Sequence, residues 1–163
     1  MMMNPGQLAI TAHGDREIVM TRVFNAPRKH VFAAWTRPEL VKQWLLGPPG
    51  WSMPVCEINL KVGGKYRYEW RRDSDGQSMG MGGVYQEIVP PERLVVTEQF
   101  DEAWYPGHAL ITLVLTEKDG KTTATQTVLY ESQEARDAVM KSPMESGVAA
   151  SFDRMAELLA AME

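Results

Sequence analysis

Glu98 and His108 are the residues of this chain whose types and spacing suit proton transfer. Glu98 alternates with Leu94, Val96 and Phe100 on one face of a predicted strand, while Val95, Thr97 and Gln99 occupy the other. A carboxylate on an apolar face has its pKa raised by desolvation, which is how a general acid or base near neutral pH is made. The competing reading leaves Glu98 at a frayed strand end where it reaches water. His108 follows Trp104, Tyr105, Pro106 and Gly107 in a loop expected at a cavity mouth, either as a proton carrier or as an ordinary surface histidine. Because Glu98 and His108 flank that loop, they form a candidate acid/base pair.

Other chemistries find less footing. The 3 histidines, His13, His30 and His108, include no i, i+4 pair and no neighbouring cysteine, so no metal site is expected. In Met79-Gly80-Met81-Gly82-Gly83 the third glycine of a G-x-G-x-x-G phosphate loop would fall on Tyr85, and no helix follows. These glycines are expected to bend a strand or admit another backbone, with Met79 and Met81 supplying adaptable apolar surface. Ser132, Ser142 and Ser151 fall at helix caps or within helices and no G-x-S-x-G elbow occurs, so nucleophilic catalysis lacks support. No metal, nucleotide or other cofactor is expected.

The segment Gly63 to Arg71 carries a different signal. Strict alternation puts Tyr66, Tyr68 and Trp70 on one face and the charges of Lys65, Arg67, Glu69 and Arg71 on the other. Buried hydroxyl and indole N–H groups must find partners, so such a face suits a pocket wall better than a solid aliphatic core. The basic cluster Lys65, Arg67, Arg71 and Arg72, with Glu69 among it, reads as a solvated strand face.

Length and charge narrow the class of protein. The chain has 163 residues and a formal net charge of -4, which suggests one domain with a full hydrophobic core and speaks against nucleic acid. No window approaches the ~20 apolar residues of a membrane span, and the first sixteen residues lack the parts of a secretion signal. Cys56 alternates with Ile58 and Leu60 and reads as an inert core thiol in a reducing cytoplasm.

The elements that must position these residues follow from periodicity and turn chemistry. Glu17 to Phe24 reads as a strand, followed by a short helix with Pro27 in its first turn and Val31, Ala34 and Trp35 on its apolar side. Thr36-Arg37-Pro38-Glu39 reads as a capping box opening a second helix to about Trp44, which Gly47-Pro48-Pro49-Gly50 stops. Trp35, Trp44 and Trp51 are expected to pack around this two-helix lid. Strands are expected at Val55 to Val62, Lys65 to Arg72, Met79 to Val89, Arg93 to Phe100, Ala109 to Glu117 and Thr122 to Tyr130, joined by hairpin turns into an antiparallel sheet. Ser142-Pro143-Met144-Glu145 reads as a second capping box before a helix whose Met144, Val148, Phe152, Met155, Leu159 and Met162 form one apolar stripe. Residues 1–15 are a tail or an extra strand, and residues 16–163 form one domain.

Asn25-Ala26-Pro27-Arg28, Val31-Phe32, Ala34-Trp35-Thr36, Pro38-Glu39-Leu40, Trp44 and Gly47-Pro48 resemble the opening signature of the heat-shock-protein-90 ATPase activator homologue family. Gly63-Gly64-Lys65-Tyr66, Gly83-Val84-Tyr85-Gln86-Glu87-Ile88, Pro90-Pro91-Glu92-Arg93-Leu94, Trp104-Tyr105-Pro106-Gly107 and Ser151-Phe152-Asp153-Arg154 are similar to its bacterial members. The resemblance covers nearly everything after Asp15. It implies the START-like, or SRPBCC, superfamily and its α+β helix-grip (Bet v-like) fold: a curved antiparallel sheet around a long C-terminal helix, with a cavity between them.

Superfamily members bind lipids, hormones and polyketides, and some catalyse cyclisation or dehydration, so the resemblance narrows the ligand class and leaves the reaction open. The leading expectation is a cytoplasmic, cofactor-free binding protein for an apolar or aromatic small molecule, monomeric or homodimeric. Its candidate ligand-binding residues are Tyr66, Tyr68, Trp70, Met79, Met81, Tyr85, Phe100, Trp104, Gly147, Phe152 and Met155. One alternative is a cofactor-independent cyclase, dehydratase or hydrolase using Glu98 and His108. Another is a co-chaperone-like interaction module, although no residue independently supports a chaperone partner.

Overall fold

The computed structural model describes residues 7–102 and 107–162. Alternating patterns become strands almost where the side chains dictate. They are β1 (Ala9–His13), β2 (Glu17–Phe24), β3 (Trp51–Ile58), β4 (Lys65–Arg72), β5 (Ser78–Val89), β6 (Arg93–Phe100), β7 (Ala109–Lys118) and β8 (Lys121–Leu129). Four helices accompany them: α1 (Arg28–Thr36), α2 (Pro38–Trp44), α3 (Gln133–Lys141) and α4 (Met144–Ala161). The strands form one 8-stranded antiparallel sheet in the order β1-β2-β8-β7-β6-β5-β4-β3. After β2 the chain crosses through α1 and α2 to the far edge, then returns strand by strand until β8 pairs with β2.

Curvature is built into β5. Its register with β6 shifts between Tyr85 and Glu87, a bulge that bends the strand. Gly83 permits close approach of β6, because a Cβ there would overlap the Thr97 carbonyl oxygen. The helices cover the concave side: α4 packs on α2 and α1, and Arg22 of β2 reaches Asp153 of α4 at 2.9 Å. This is the α+β helix-grip arrangement.

Neither expected capping box forms. Thr36 is the last residue of α1 and its hydroxyl donates to the Phe32 carbonyl at 2.8 Å, while α2 starts at Pro38 without a side-chain cap. Ser142 likewise ends α3, donating from Oγ to the Val139 carbonyl at 2.6 Å, and α4 starts uncapped after Pro143. In both places two helices meet almost end to end, and the hydroxyl closes the first instead of opening the second.

Helix α3 has no range in the sequence expectation, which only places Ser132 at a helix cap or within a helix. Its signal is Ser132, whose Oγ accepts from Ala135 N at 3.0 Å as a true N-cap. The start and end of β3 also differ. Pro54 does not delay the strand, since β3 is an edge and its register shifts between Ser52 and Val55. Residues 59–64 turn instead of continuing it, leaving Leu60 and Val62 exposed. Residues 9–13, expected as tail or extra strand, pair with β2 as β1.

Candidate functional site

Between the concave sheet and α4 lies a cavity of about 460 Å³. It has two unlike walls and a roof. The wall from β4 and β5 is aromatic: Tyr66, Tyr68, Trp70 and Tyr85 project inward with Met81, as the alternation requires. Neighbouring ring centroids are 5.1 Å apart for Tyr66 and Tyr68, 5.6 Å for Tyr66 and Tyr85, and 6.0 Å for Tyr68 and Trp70. The wall from β6, β7 and β8 is aliphatic, with Leu94, Val96, Ile111, Leu113 and Val128. Trp35, Trp44, Met144, Val148 and Phe152 roof it.

Some polar groups on the walls are already satisfied. Tyr66 Oη donates to the Thr97 carbonyl at 2.6 Å, Trp70 Nε1 to the Leu45 carbonyl at 2.7 Å, and Trp44 Nε1 to the Ala34 carbonyl at 2.8 Å. These bonds fix three rings and tie the sheet to the end of α2. The hydroxyls of Tyr68 and Tyr85, the Gln126 amide and the Glu98 carboxyl have no hydrogen-bond partner among the described residues, although all four side chains line the cavity.

Glu98 is the acidic member of this lining. It pairs across the ladder with Ala109 on β7, and its strand neighbours on the same face are Val96 and Phe100. Burial pushes its carboxyl up to about 7, and among the described residues no cation opposes the shift. Burial also raises the Tyr68 phenol well above its ordinary value, with the nearby Tyr85, Tyr66, Cys56 and Glu98 adding to the effect. The Tyr85 phenol is raised for the same first reason. Glu98 is thus half-buried, paired within β6 and facing the cavity.

His108 does not join it. The imidazole is exposed and lies 3.8 Å from the Glu131 carboxylate, and His108 is not part of the cavity wall. The chain turns at Gly107, and Glu131 accepts the His108 backbone N–H at 2.6 Å, which holds the residue on the outside. The proposed Glu98–His108 pair is thus not assembled.

Of the candidate ligand-binding residues, Tyr66, Tyr68, Trp70, Met79, Met81, Tyr85, Phe100, Gly147 and Phe152 line the cavity. Met79 is 44% exposed and marks its mouth. Met155 is a correction: it is fully buried in the core a turn beyond Phe152, where α4 has closed onto its neighbours. Trp104 lies outside the described residues. Gly147 borders the mouth, where its Cα faces the Gly47–Gly50 turn; a Cβ there would stand 3.3 Å from Pro48 Cδ. That turn is clamped to α4, with Ser151 Oγ accepting from Gly47 N at 2.9 Å and Arg154 donating to the Gly47 carbonyl at 2.8 Å.

Sequence reasoning missed Gln126, Tyr130 and Met20, which also line the cavity. A signal existed for Gln126: it is the polar member of the inward series Ala124, Gln126, Val128. Cys56 is half-buried beside Tyr68, its cross-strand partner, and burial raises its thiol to about 11, in keeping with an inert thiol. Among the described residues no group of three or more His, Cys, Asp or Glu side chains is placed to hold a metal, and no helix is long and apolar enough to cross a membrane.

Residues 25–160 match the family model for Activator of Hsp90 ATPase homolog 1-like protein, and the chain belongs to that family. A crystal structure of a protein from Rhodobacter sphaeroides is similar, with 32% identity over 94% of this chain and 98% of that one, at a TM-score of 0.88. One from Chromobacterium violaceum has 30% identity over 90% of this chain and 98% of that one, at a TM-score of 0.77. An AHSA1-like protein from Aeromonas hydrophila, at 15% identity over 89% of this chain and 95% of that one, shares the fold with a TM-score of 0.69. No curated protein matches the chain. Membership in this family fits a ligand-binding or a co-chaperone-like role.

Proposed function

We propose that this protein binds a small, mainly apolar or aromatic molecule in the chamber between its sheet and α4, within one domain over residues 16–163, in the cytoplasm and without a cofactor. The observation that carries the reading is the unfilled space itself. A volume of about 460 Å³ falls in the range of roughly 300–1,000 Å³ typical of ligand pockets. Two of its rings, Tyr66 and Trp70, are already braced by hydrogen bonds to backbone carbonyls, so that part of the wall is held before a ligand arrives, which lowers the cost of binding. The test is titration with an uncharged naphthalene probe such as 2-(1-naphthyl)ethanol, followed by calorimetry. Saturable binding at a stoichiometry of one that Tyr68→Ala weakens is expected; absence of binding, or indifference to Tyr68→Ala, would overturn the reading.

Glu98 favours one second reading. A carboxyl near 7 inside an apolar chamber is poised to give or take a proton, and so to act as a lone acid/base without His108. Turnover of a bound substrate would then fall roughly 10²–10⁴-fold in Glu98→Gln.

A further inference from the structure

Among the ionisable side chains that line the cavity, one carries a charge of definite sign near neutral pH, and it is an acid. The wall contains Glu98 and several phenols but no lysine, arginine or histidine. Glu98 accepts no hydrogen bond from any described residue, and among the described residues no cation faces it: β4 and β5 offer the Tyr66, Tyr68 and Tyr85 phenols, Gln126 and Tyr130 come from β8 and the residue after it, and α4 offers Met144, Val148, Ser151 and Phe152. Glu98 is half-buried, and a carboxylate drawn partly out of water without a partner is costly, so proteins ordinarily supply the cation themselves. The neighbouring wall is a run of Tyr66, Tyr68, Trp70 and Tyr85 rings, whose electron-rich faces attract positive charge.

We infer that the ligand of this cavity is a lipophilic or aromatic amine carrying one positive charge, its ammonium paired with Glu98 against the tyrosine rings and its apolar body lying along Leu94, Val96 and Leu113. This rests on the binding function proposed above and specifies its ligand class. The ammonium completes the ion pair that the chain lacks, and Gln126 and the Tyr68 and Tyr85 hydroxyls offer acceptors for its remaining N–H groups. A ligand with a carbonyl instead of an amine would need Glu98 as a neutral donor, and the two cases respond to pH in opposite directions. Pairing with an ammonium strengthens as Glu98 ionises, so affinity for an amine rises between pH 6 and pH 8, whereas affinity for a carbonyl acceptor falls. The Tyr68 and Tyr85 phenols are pushed up by burial and stay neutral across that window.

The test compares three probes of one shape by calorimetry at pH 8: 2-(1-naphthyl)ethylamine, 2-(1-naphthyl)ethanol and 1-naphthylacetate. The amine is expected to bind about tenfold or more tightly than the alcohol, and the acetate more weakly than either, from one charge-assisted hydrogen bond gained or one repulsion added. In Glu98→Gln the preference for amine over alcohol should collapse to about twofold or less, and in the outer-face variant Arg67→Gln it should persist. The amine's advantage should also shrink at pH 6. Equal binding of amine and alcohol by the natural protein overturns the inference and leaves the cavity reading standing. A preference that survives Glu98→Gln, or that grows at pH 6, overturns it as well. If none of the probes binds, both the inference and the binding reading fall.

Discussion

The two faces of strands β4 to β6 make opposite use of neighbouring residues. On the concave face Tyr66, Tyr68, Trp70 and Glu98 look into the cavity; on the convex face Arg67, Glu69 and Asp101 pair with one another in water. Two carboxyls three positions apart show what the difference does. Arg67 donates to both oxygens of Asp101, at 2.6 and 2.5 Å, and this hydrogen bonding holds the Asp101 carboxyl below the usual range. Glu98 has no such partner among the described residues, and burial raises it to about 7. The direction of each shift follows from the face, which the pleat fixes, and not from residue type. One face is thus organised for solubility and pairing, the other holds polar groups in reserve.

The largest break in that contrast should come from the concave wall. Tyr68 is 7% exposed and its ring is flanked by Tyr66 and Trp70. Tyr68→Ala is expected to cost about 3 kcal/mol in chemical denaturation, at the low end for a buried ring because one side already faces open space. The same variant should weaken 2-(1-naphthyl)ethanol binding. A loss below ~1 kcal/mol would mean that the ring is not part of a packed wall.

Glu98 supplies the next effect, read as stability against pH. Its folded pKa lies above its unfolded one, so the carboxyl's contribution is fully present below about pH 4.5 and is lost as pH rises through about 7. Between those limits the protein should lose roughly 3–4 kcal/mol from this group, by the linkage of about 1.4 kcal/mol per pKa unit. Glu98→Gln should flatten that slope and leave the protein more stable than the natural chain at pH 8. A variant with an unchanged slope would show that Glu98 reaches water.

On the convex face the sign reverses and the size shrinks. Asp101's lowered pKa means that its pairing contributes above the ordinary carboxylate pKa and is lost as pH falls through the folded value. Both partners are well exposed, so solvent and salt screen them. Arg67→Gln should therefore cost within about 1 kcal/mol, less at high salt, with no change in probe binding. A larger loss, insensitive to salt, would erase the contrast between the faces.

Most of the sheet was legible because its signals are local. Alternation named the inward residues of β4 and β6, and turn chemistry named the hairpins, since the pleat leaves those side chains no other face. What failed was decided by contacts distant in sequence. Thr36 and Ser142 have the right residues for capping boxes, yet their hydroxyls are taken by the preceding helices. His108 stands beside the right loop, but Glu131, on the far side of the β7–β8 hairpin, holds it outside. Met155 belongs to the correct helical stripe, yet the cavity ends before it reaches that turn. Periodicity says which side of an element is apolar; it does not say where along that side the packing opens.

Gly147 offers the smallest and finest test, because it stands where the concave chamber meets the surface. Alanine there gains about 0.8–1.0 kcal/mol of helix propensity. Against this, its Cβ would press on Pro48 at 3.3 Å, so the neighbour must yield by a few tenths of an ångström. Pro48 is exposed and lies in a turn bounded by Gly47 and Gly50, both at positive φ, so it has room to yield. Gly147→Ala should accordingly raise the melting temperature slightly, by a net ~0.5 kcal/mol. Gly147→Leu is a different matter, since three further carbons cannot fit without lifting the turn off α4 and straining the bond from Gly47 N to Ser151 Oγ. That variant should be less stable than Gly147→Ala and should release 2-(1-naphthyl)ethanol faster in stopped-flow measurements, because the clamped turn borders the mouth. Equal release rates in the two variants would place the ligand's exit elsewhere on the chamber.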